Sequence, residues 1–567
     1  MARDRLPLAP QPLLRDGLGF CGSADVGVAD AEDEAMKKLL DWFLSPPLRK
    51  VALATLIAVG LVWLVIRFCG LEVSPPGFFL DEATAAVHAM CLSETGKDAY
   101  GVAWPIYSRG AIAGGGQHPL TLLAFDVLWM KVFGTSRAAF RAVSAFWFVV
   151  TSLGLFLMAR DLAALIPAKS AHDPESSAKR AFPWLVLLSA LLSPWSFQFS
   201  RIAWECPLGP AFMVLALVGV VRSHRGGKLA LVWSSFCGLC AAASMMSYAP
   251  FRAVVPFVLT MAVTLLFAVT RERRARWKFL GSMVAAAFAA GVLLWPTVRM
   301  LLSGKITNRM NAVAIWNPTW MSEHMRGMGR GAFLVMTFFD NLLAHLQPSF
   351  LFGRGDANLR HSPQISGHLS PVDALALALV CWVVVRVLWG LVRGRSPLPK
   401  APEGSLTDTS RWLIGVSLGA IVGGFFAVVP SALTWEGVPT ALRAIGAWPF
   451  VALFSGAVLA MAWNRLPGLP ALLALVALVH TVLFLPAYFH AYDKAESYWF
   501  MRDLPDAIAS ESRKKTPKTV PQTVSDNLGY AYGYDEVPRY YLMSQAKVNC
   551  RAAVGALESF WNRARGQ

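Results

Sequence analysis

Apolar residues in this chain come in long blocks rather than in stripes. Each block runs to about 20 residues, the length an α-helix needs to cross the hydrocarbon core of a bilayer. The first is VALATLIAVGLVWLVIRFC, residues 51–69. Basic residues punctuate the polar stretches between blocks: Lys37, Lys38, Arg49 and Lys50; 160–180; Arg222, Arg225 and Lys228; 271–278; 393–411; and Arg465. Placing all of them in the cytoplasm, as positive-inside topology requires, predicts a consistent alternation. The spans then fall near 51–69, 138–159, 183–199, 207–221, 229–247, 252–270, 279–297, 372–393, 412–430, 441–463 and 468–487. The N-terminus is expected inside and the C-terminus outside.

The segment PLTLLAFDVLWMKVFG, 119–134, is apolar but short, and it carries Asp126 and Lys131. It predicts a helix lying in the outer interface rather than a span. Two outward segments are long, 70–137 and 298–371. The expected fold is an all-α polytopic membrane protein of about eleven transmembrane helices, with interfacial helices in the first outward loop. Residues 1–50 read as a disordered cytoplasmic tail and juxtamembrane segment, without the pattern of a cleaved signal peptide. Residues 51–487 form the membrane domain. Residues 488–567 turn polar and predict a small α/β extracytoplasmic domain, with a helix at 498–510 and a β-like run at 519–524.

Composition agrees. Of 567 residues, 55% are hydrophobic and 15% charged, where soluble domains carry about 25% charged residues. The net charge of +17 would suit nucleic acid, but its placement in short loops between spans reads as topology instead, and no nucleic-acid partner is expected. Eight cysteines are scattered. Cys237 and Cys240 have CxxC spacing inside a span without a second pair, which reads as packing.

The candidate chemistry lies in the outward segments. Asp81-Glu82 follows the Pro75-Pro76-Gly77 turn and opens a helical stretch, 81–96. Acidic residues there suit a helix N-terminus; a carboxylate at the membrane surface can also serve as a general base. Tyr100 and His118 follow, around a Gly114–Gly116 run that could admit a ligand's approach. In LLSPWSFQFSRIAWE, 191–205, Arg201 and Glu205 are four residues apart and would share a helix face as an ion pair. Arg252 in YAPFR and Arg443 in PTALR also stand at outer span ends, where positive-inside statistics disfavour them, and so suggest a phosphate site. The loop LFGRGDANLRHSPQISGHLSP, 351–371, concentrates Asp356, Arg360, His361 and His368. It suits a cradle for sugar or phosphate and leaves room for a divalent metal, though its spacing matches no metal motif.

In this order, these residues resemble a known family. A first span is followed by DE, ETGKDAYG, the interfacial PLTLLAFDVLWMKVFG, TSRAAFRAVSAF, SPWSFQFSRIAWE, a late FGRGDANLRHS and PTALRAIGAWP. The set is similar to the GT-C lipid-carrier-dependent glycosyltransferases, in particular bacterial relatives of protein O-mannosyltransferases and of the lipid A aminoarabinose transferase. It covers about residues 50–500. The resemblance implies a polyprenyl-phosphate-linked sugar donor, a lipid, glycan or protein acceptor, and an active site at the outer face of a bacterial inner membrane. Asp81 matches the catalytic carboxylate. Glu82 would orient the site or touch the acceptor, while Arg201 and Arg443 match positions that hold donor phosphate. One base opposed to one leaving phosphate implies direct displacement with inversion. A transporter of lipid-linked sugars is the competing reading. It would need polar groups at mid-membrane depth, and the spans here are nearly charge-free.

Overall fold

The computed structural model describes residues 46–109, 117–166, 175–393, 408–493 and 549–550. The chain is an all-α polytopic membrane protein. Its elements are α1 (Pro46–Ile66), α2 (Leu80–Thr95), a two-stranded antiparallel ribbon of β1 (Tyr107–Arg109) and β2 (Gln117–Pro119), α3 (Leu120–Phe133), α4 (Arg137–Ala163), α5 (Glu175–Leu192) and α6 (Pro194–Phe199). Then come α7 (Leu208–His224), α8 (Ala230–Ser247), α9 (Phe251–Val269), α10 (Arg273–Leu302), α11 (Asn308–Val313), α12 (Pro318–His324), α13 (Arg330–Ala344), α14 (Pro371–Val392), α15 (Asp408–Ala432), α16 (Trp448–Ala462) and α17 (Leu469–Asp493).

Among the described residues, nine helices are long and apolar enough to cross a membrane: α1, α4, α8, α9, α10, α14, α15, α16 with its leading turn, and α17. Two further expected spans also form helices. Of these, α7 has only 17 residues, and α5 carries Glu175, Lys179 and Arg180 in its first turns. Pro194, at the first position of α6, restarts the helix after Ser193, so the span expected at 183–199 divides there. The segment at 119–134 forms α3, whose 14 residues are too few to span. The expected C-terminal helix and strand lie outside the described residues.

Trp63 shows how the bundle closes. It is fully buried, donates from Nε1 to Thr481 Oγ1 at 2.8 Å and stacks on Phe484, joining the first span to the last. The first long loop packs as a second core. Ala83, Ala85, Ala86 and Ala89 of α2 are buried and share a cluster with Leu122, Leu123, Phe140 and Trp147. Small side chains let α2 sit close against α3 and α4 although it is only mildly apolar. The second long loop is tied to the end of α15, where Asn341 Nδ2 donates to Ala432 O and Thr434 O at 3.0 and 2.8 Å. These two loops carry the candidate site.

Candidate active site

The acidic pair is divided by its helix. The first residue of α2 is Leu80, so Asp81 and Glu82 occupy its second and third positions. Glu82 does the capping: its Oε2 accepts from Phe79 N at 3.1 Å. The same carboxylate takes Arg141 Nε at 2.8 Å and Nη2 at 2.9 Å, and Ala203 N at 2.8 Å. Arg141 spends its other hydrogens on the carbonyls of Leu71, Pro75 and Gly77. Both side chains are buried, and this bidentate pair ties the 71–82 strand of chain to α4 and to residue 203. Glu82 thus accepts four internal hydrogen bonds, a geometry that suits the first of its two expected roles, orienting the site, better than contact with an acceptor.

Asp81, one residue earlier, is turned about 100° around the helix and remains 45% exposed. Its Oδ2 lies 3.7 Å from Arg360 Nη1. Arg360 arches over the ring of Phe79 at 4.0 Å and of Trp204 at 5.6 Å, and its Nε is 3.3 Å from Asn358 Oδ1. Desolvation in this crowded cleft lifts the Asp81 carboxyl above its ordinary range, Arg360 opposes the lift, and Glu82 adds to it.

The loop before α14 holds Arg360 in place. Asp356 Oδ2 accepts from Ala441 N and from His361 Nδ1, both at 2.8 Å, and Oδ1 accepts from Asn358 N at 2.8 Å. His368 Nε2 accepts from Asp356 N at 3.1 Å. Gln198 Nε2 and Tyr492 Oη donate to the carbonyls of Arg360 and Leu359, at 2.7 and 2.9 Å. Burial alone would raise Asp356, but His361 and the backbone donors hold it below the usual carboxylate range. Burial lowers His361 against the pull of Asp356, and it pushes His368 down to about 3. His361 lies between Phe199 at 5.8 Å and Trp204 at 5.6 Å, with a buried Nε2 that meets no partner among the described residues.

The predicted arginines divide as well. Arg201 is fully buried and donates to Ile66 O at 2.9 Å, Cys69 O at 2.8 Å and Ser74 O at 2.9 Å. It caps the carbonyl end of α1, where a cation is favoured; its Nη1 and Nη2 are spent on these carbonyls, while its buried Nε meets no partner among the described residues. Residues 200–207 form turns rather than a helix, so the expected Arg201–Glu205 pair does not form among the described residues. Glu205 instead lies within electrostatic reach of Asp81; burial, with Asp81 adding, pushes it up to about 8. Arg443 is half-buried on Glu436, with Nη2 to Oε2 at 2.9 Å, and Arg309 reaches the same oxygen at 2.6 Å. Two cations thus share one carboxylate. Arg309 stands in a bland stretch, NRMNAV, and had no sequence signal; its charge is felt at Asp81 and at Tyr248. Arg252 lies over the ring of Tyr107 at 5.3 Å, with a buried, unpartnered Nε among the described residues. Tyr100 and His118 group with His88 inside the first loop, at 5.5 and 6.0 Å between rings, rather than with Asp81. Among the described residues no three His, Cys, Asp or Glu side chains converge as a metal-binding set.

One covalent link escaped the sequence reading. Cys91 of α2 forms a disulfide with Cys550, and Cys550 N donates to Glu94 Oε2 at 2.8 Å. Cysteines 459 positions apart offer no local pattern. The bond ties α2 to Cys550; disulfides persist in oxidising compartments.

No family model and no curated protein matches the chain. Solved structures do. The chain is similar to the oligosaccharyltransferase of Archaeoglobus fulgidus, solved with zinc and sulfate, at 13% identity and a TM-score of 0.41, covering 84% of this chain and 57% of that one. This chain thus spans less than two thirds of the archaeal enzyme. It is also similar to ArnT from Cupriavidus metallidurans, at 15% identity and a TM-score of 0.35 in the apo state, with 84% of each chain covered. With ArnT bound to undecaprenyl phosphate the values are 15%, 0.37 and 88% of each chain. At these identities and scores, the functional reading is taken from the site itself.

Proposed function

We propose that this protein is a membrane glycosyltransferase that moves a sugar from a polyprenyl-phosphate donor to an acceptor hydroxyl or amine at the face bearing the two long loops. The carrying observation is Asp81: a half-exposed carboxylate at the head of a packed helix, with the Arg360 guanidinium 3.7 Å away. The ordered sequence resemblance points the same way.

The chemistry follows from the groups present. Asp81 takes the proton of the acceptor's O–H or N–H as that atom bonds to the anomeric carbon. The bond from that carbon to the phosphate oxygen breaks, and the polyprenyl phosphate leaves with the electron pair. Arg360, with Arg309, whose charge also reaches Asp81, stabilises the charge that develops on it. Glu205, neutral below about pH 8, adds no negative charge beside the phosphate. A single open carboxylate on the acceptor side favours inversion.

The test is Asp81→Asn in purified protein, assayed with undecaprenyl-phosphate sugars and membrane acceptors. The expected loss is about 10²–10⁴-fold in transfer with unchanged thermal unfolding. Full transfer by this variant would remove Asp81 as base; transport of the donor by wild-type proteoliposomes without acceptor would favour the carrier reading.

A further inference from the structure

Charge alone makes the basic segment RERRARWK, 271–278, a marker of topology. The fold gives it a shape. Five cations stand there with one carboxylate, Glu272, which precedes the first turn of α10. Arg276 turns aside: its Nε donates to Thr270 O, and its guanidinium lies 5.6 Å from the ring of Phe267. Arg273, Arg274, Trp277 and Lys278 instead line one open cavity of about 660 Å³. None of these three cations has an ion-pair partner among the described residues.

The cavity opens onto the uncovered side of α10. At about 100° per residue, Gly281, Val284 and Phe288 fall on the same side as Arg274 and Trp277. All three are exposed, and a Cβ on Gly281 would meet nothing within 4 Å. The opposite side, with Phe279, Met283, Ala286 and Ala290, is buried. There α8 comes so close that a Cβ on Gly238 would meet Ala286 O at 2.5 Å. So α10 spends one side on the bundle and offers the other to the bilayer. Gly281 leaves a notch in that apolar side, one turn below Trp277 and Lys278. Trp277 stands edge-on to Phe267 at 6.0 Å between rings, an aromatic at the head-group level of a span.

The two halves ask for different chemistry. The cations want a negative group. The stripe beneath them is apolar and wants a hydrocarbon chain. A free phosphate would use only the first half. A phospholipid of net negative charge uses both, as basic pockets at the ends of membrane helices do with anionic head groups. From the cavity α10 runs to Leu302, where the long loop that carries Arg360 begins. The cavity therefore lies at the membrane face opposite Asp81.

We infer that residues 273–288 of α10 form a binding site for an anionic phospholipid, its phosphate among Arg273, Arg274 and Lys278 and an acyl chain along the Gly281 notch. The inference stands without the transferase reading.

The experiment titrates the purified full-length protein with phosphatidylglycerol or phosphatidylcholine and follows bound lipid by native mass spectrometry. Phosphatidylglycerol should bind about twentyfold more tightly, the scale of a few surface cations on one head group. Arg274→Gln with Lys278→Gln should cut that preference to about twofold. Arg180→Gln with Lys228→Gln removes the same charge from the same membrane face outside the cavity, and should leave the preference intact. Gly281→Leu keeps every charge but fills the notch. It should weaken both lipids about fourfold, the scale of one methylene of buried chain, with thermal unfolding unchanged. Equal losses from the two charge pairs would show diffuse surface attraction, and unaltered binding by Gly281→Leu would show that no chain is seated there. Either result overturns the proposal. So does displacement of phosphatidylglycerol by an equal concentration of inorganic phosphate, which would mark a free-anion site.

Discussion

Asp81 and Glu82 are neighbours in sequence and opposites in structure. Glu82 accepts four hydrogen bonds, two of them from the buried Arg141. Asp81 faces an open cleft with one long contact to Arg360. A buried carboxylate with every lone pair claimed is a fastener; removing one partner leaves a desolvated charge. A half-exposed carboxylate with one distant cation costs little to keep and can change its proton. The difference teaches that an acidic pair at a helix start is not a single functional unit. About 100° of rotation around the helix separates the residue that builds the site from the residue that works in it.

The strongest way to break this comparison is to exchange the two effects. Glu82→Gln should destabilise the protein by about 3–5 kcal/mol, read by thermal unfolding in detergent, whereas Asp81→Asn should stay within about 1 kcal/mol of wild type. Similar losses at both positions would show that Asp81 is also structural. Arg201→Met comes next. Stripped of its bonds to the end of α1, the chain should lose about 2–3 kcal/mol of stability, while the folded fraction binds undecaprenyl phosphate as tightly as wild type. A specific loss of binding would return Arg201 to the phosphate site.

The smallest effect concerns Glu205. Its carboxyl is raised from 4.5 to about 8 in the folded protein. A raised acid favours the folded state least at high pH: the unfolded chain ionises above 4.5 while the folded one does not, so stability falls from there up to about 8 and then levels. Transfer should likewise decline as Glu205 ionises beside the phosphate. Glu205→Gln should flatten both the alkaline limb of activity and this part of the stability profile. An unchanged alkaline limb would assign it to another group.

Much of the fold was legible because membrane spans are written in composition. Blocks of apolar residues, basic punctuation and the 14-residue length of α3 need no tertiary knowledge. The order of polar segments also pointed to Asp81 and to the 351–371 loop. Arg309 stayed invisible because its role comes from a shared carboxylate 127 positions away. The Cys91–Cys550 disulfide was hidden for the same reason.

The sequence by itself thus determined which segments can lie in a bilayer and which polar groups gather outside it, since transfer free energy depends on residue type and run length. Tertiary structure alone decided what each polar group does. Whether a carboxylate or guanidinium is a fastener or a reagent depends on burial and on partners brought from distant segments. Arg141 and Ala203 make Glu82 a fastener, the carbonyls of Ile66, Cys69 and Ser74 do the same to Arg201, and the half-open cleft with its long contact to Arg360 leaves Asp81 able to react.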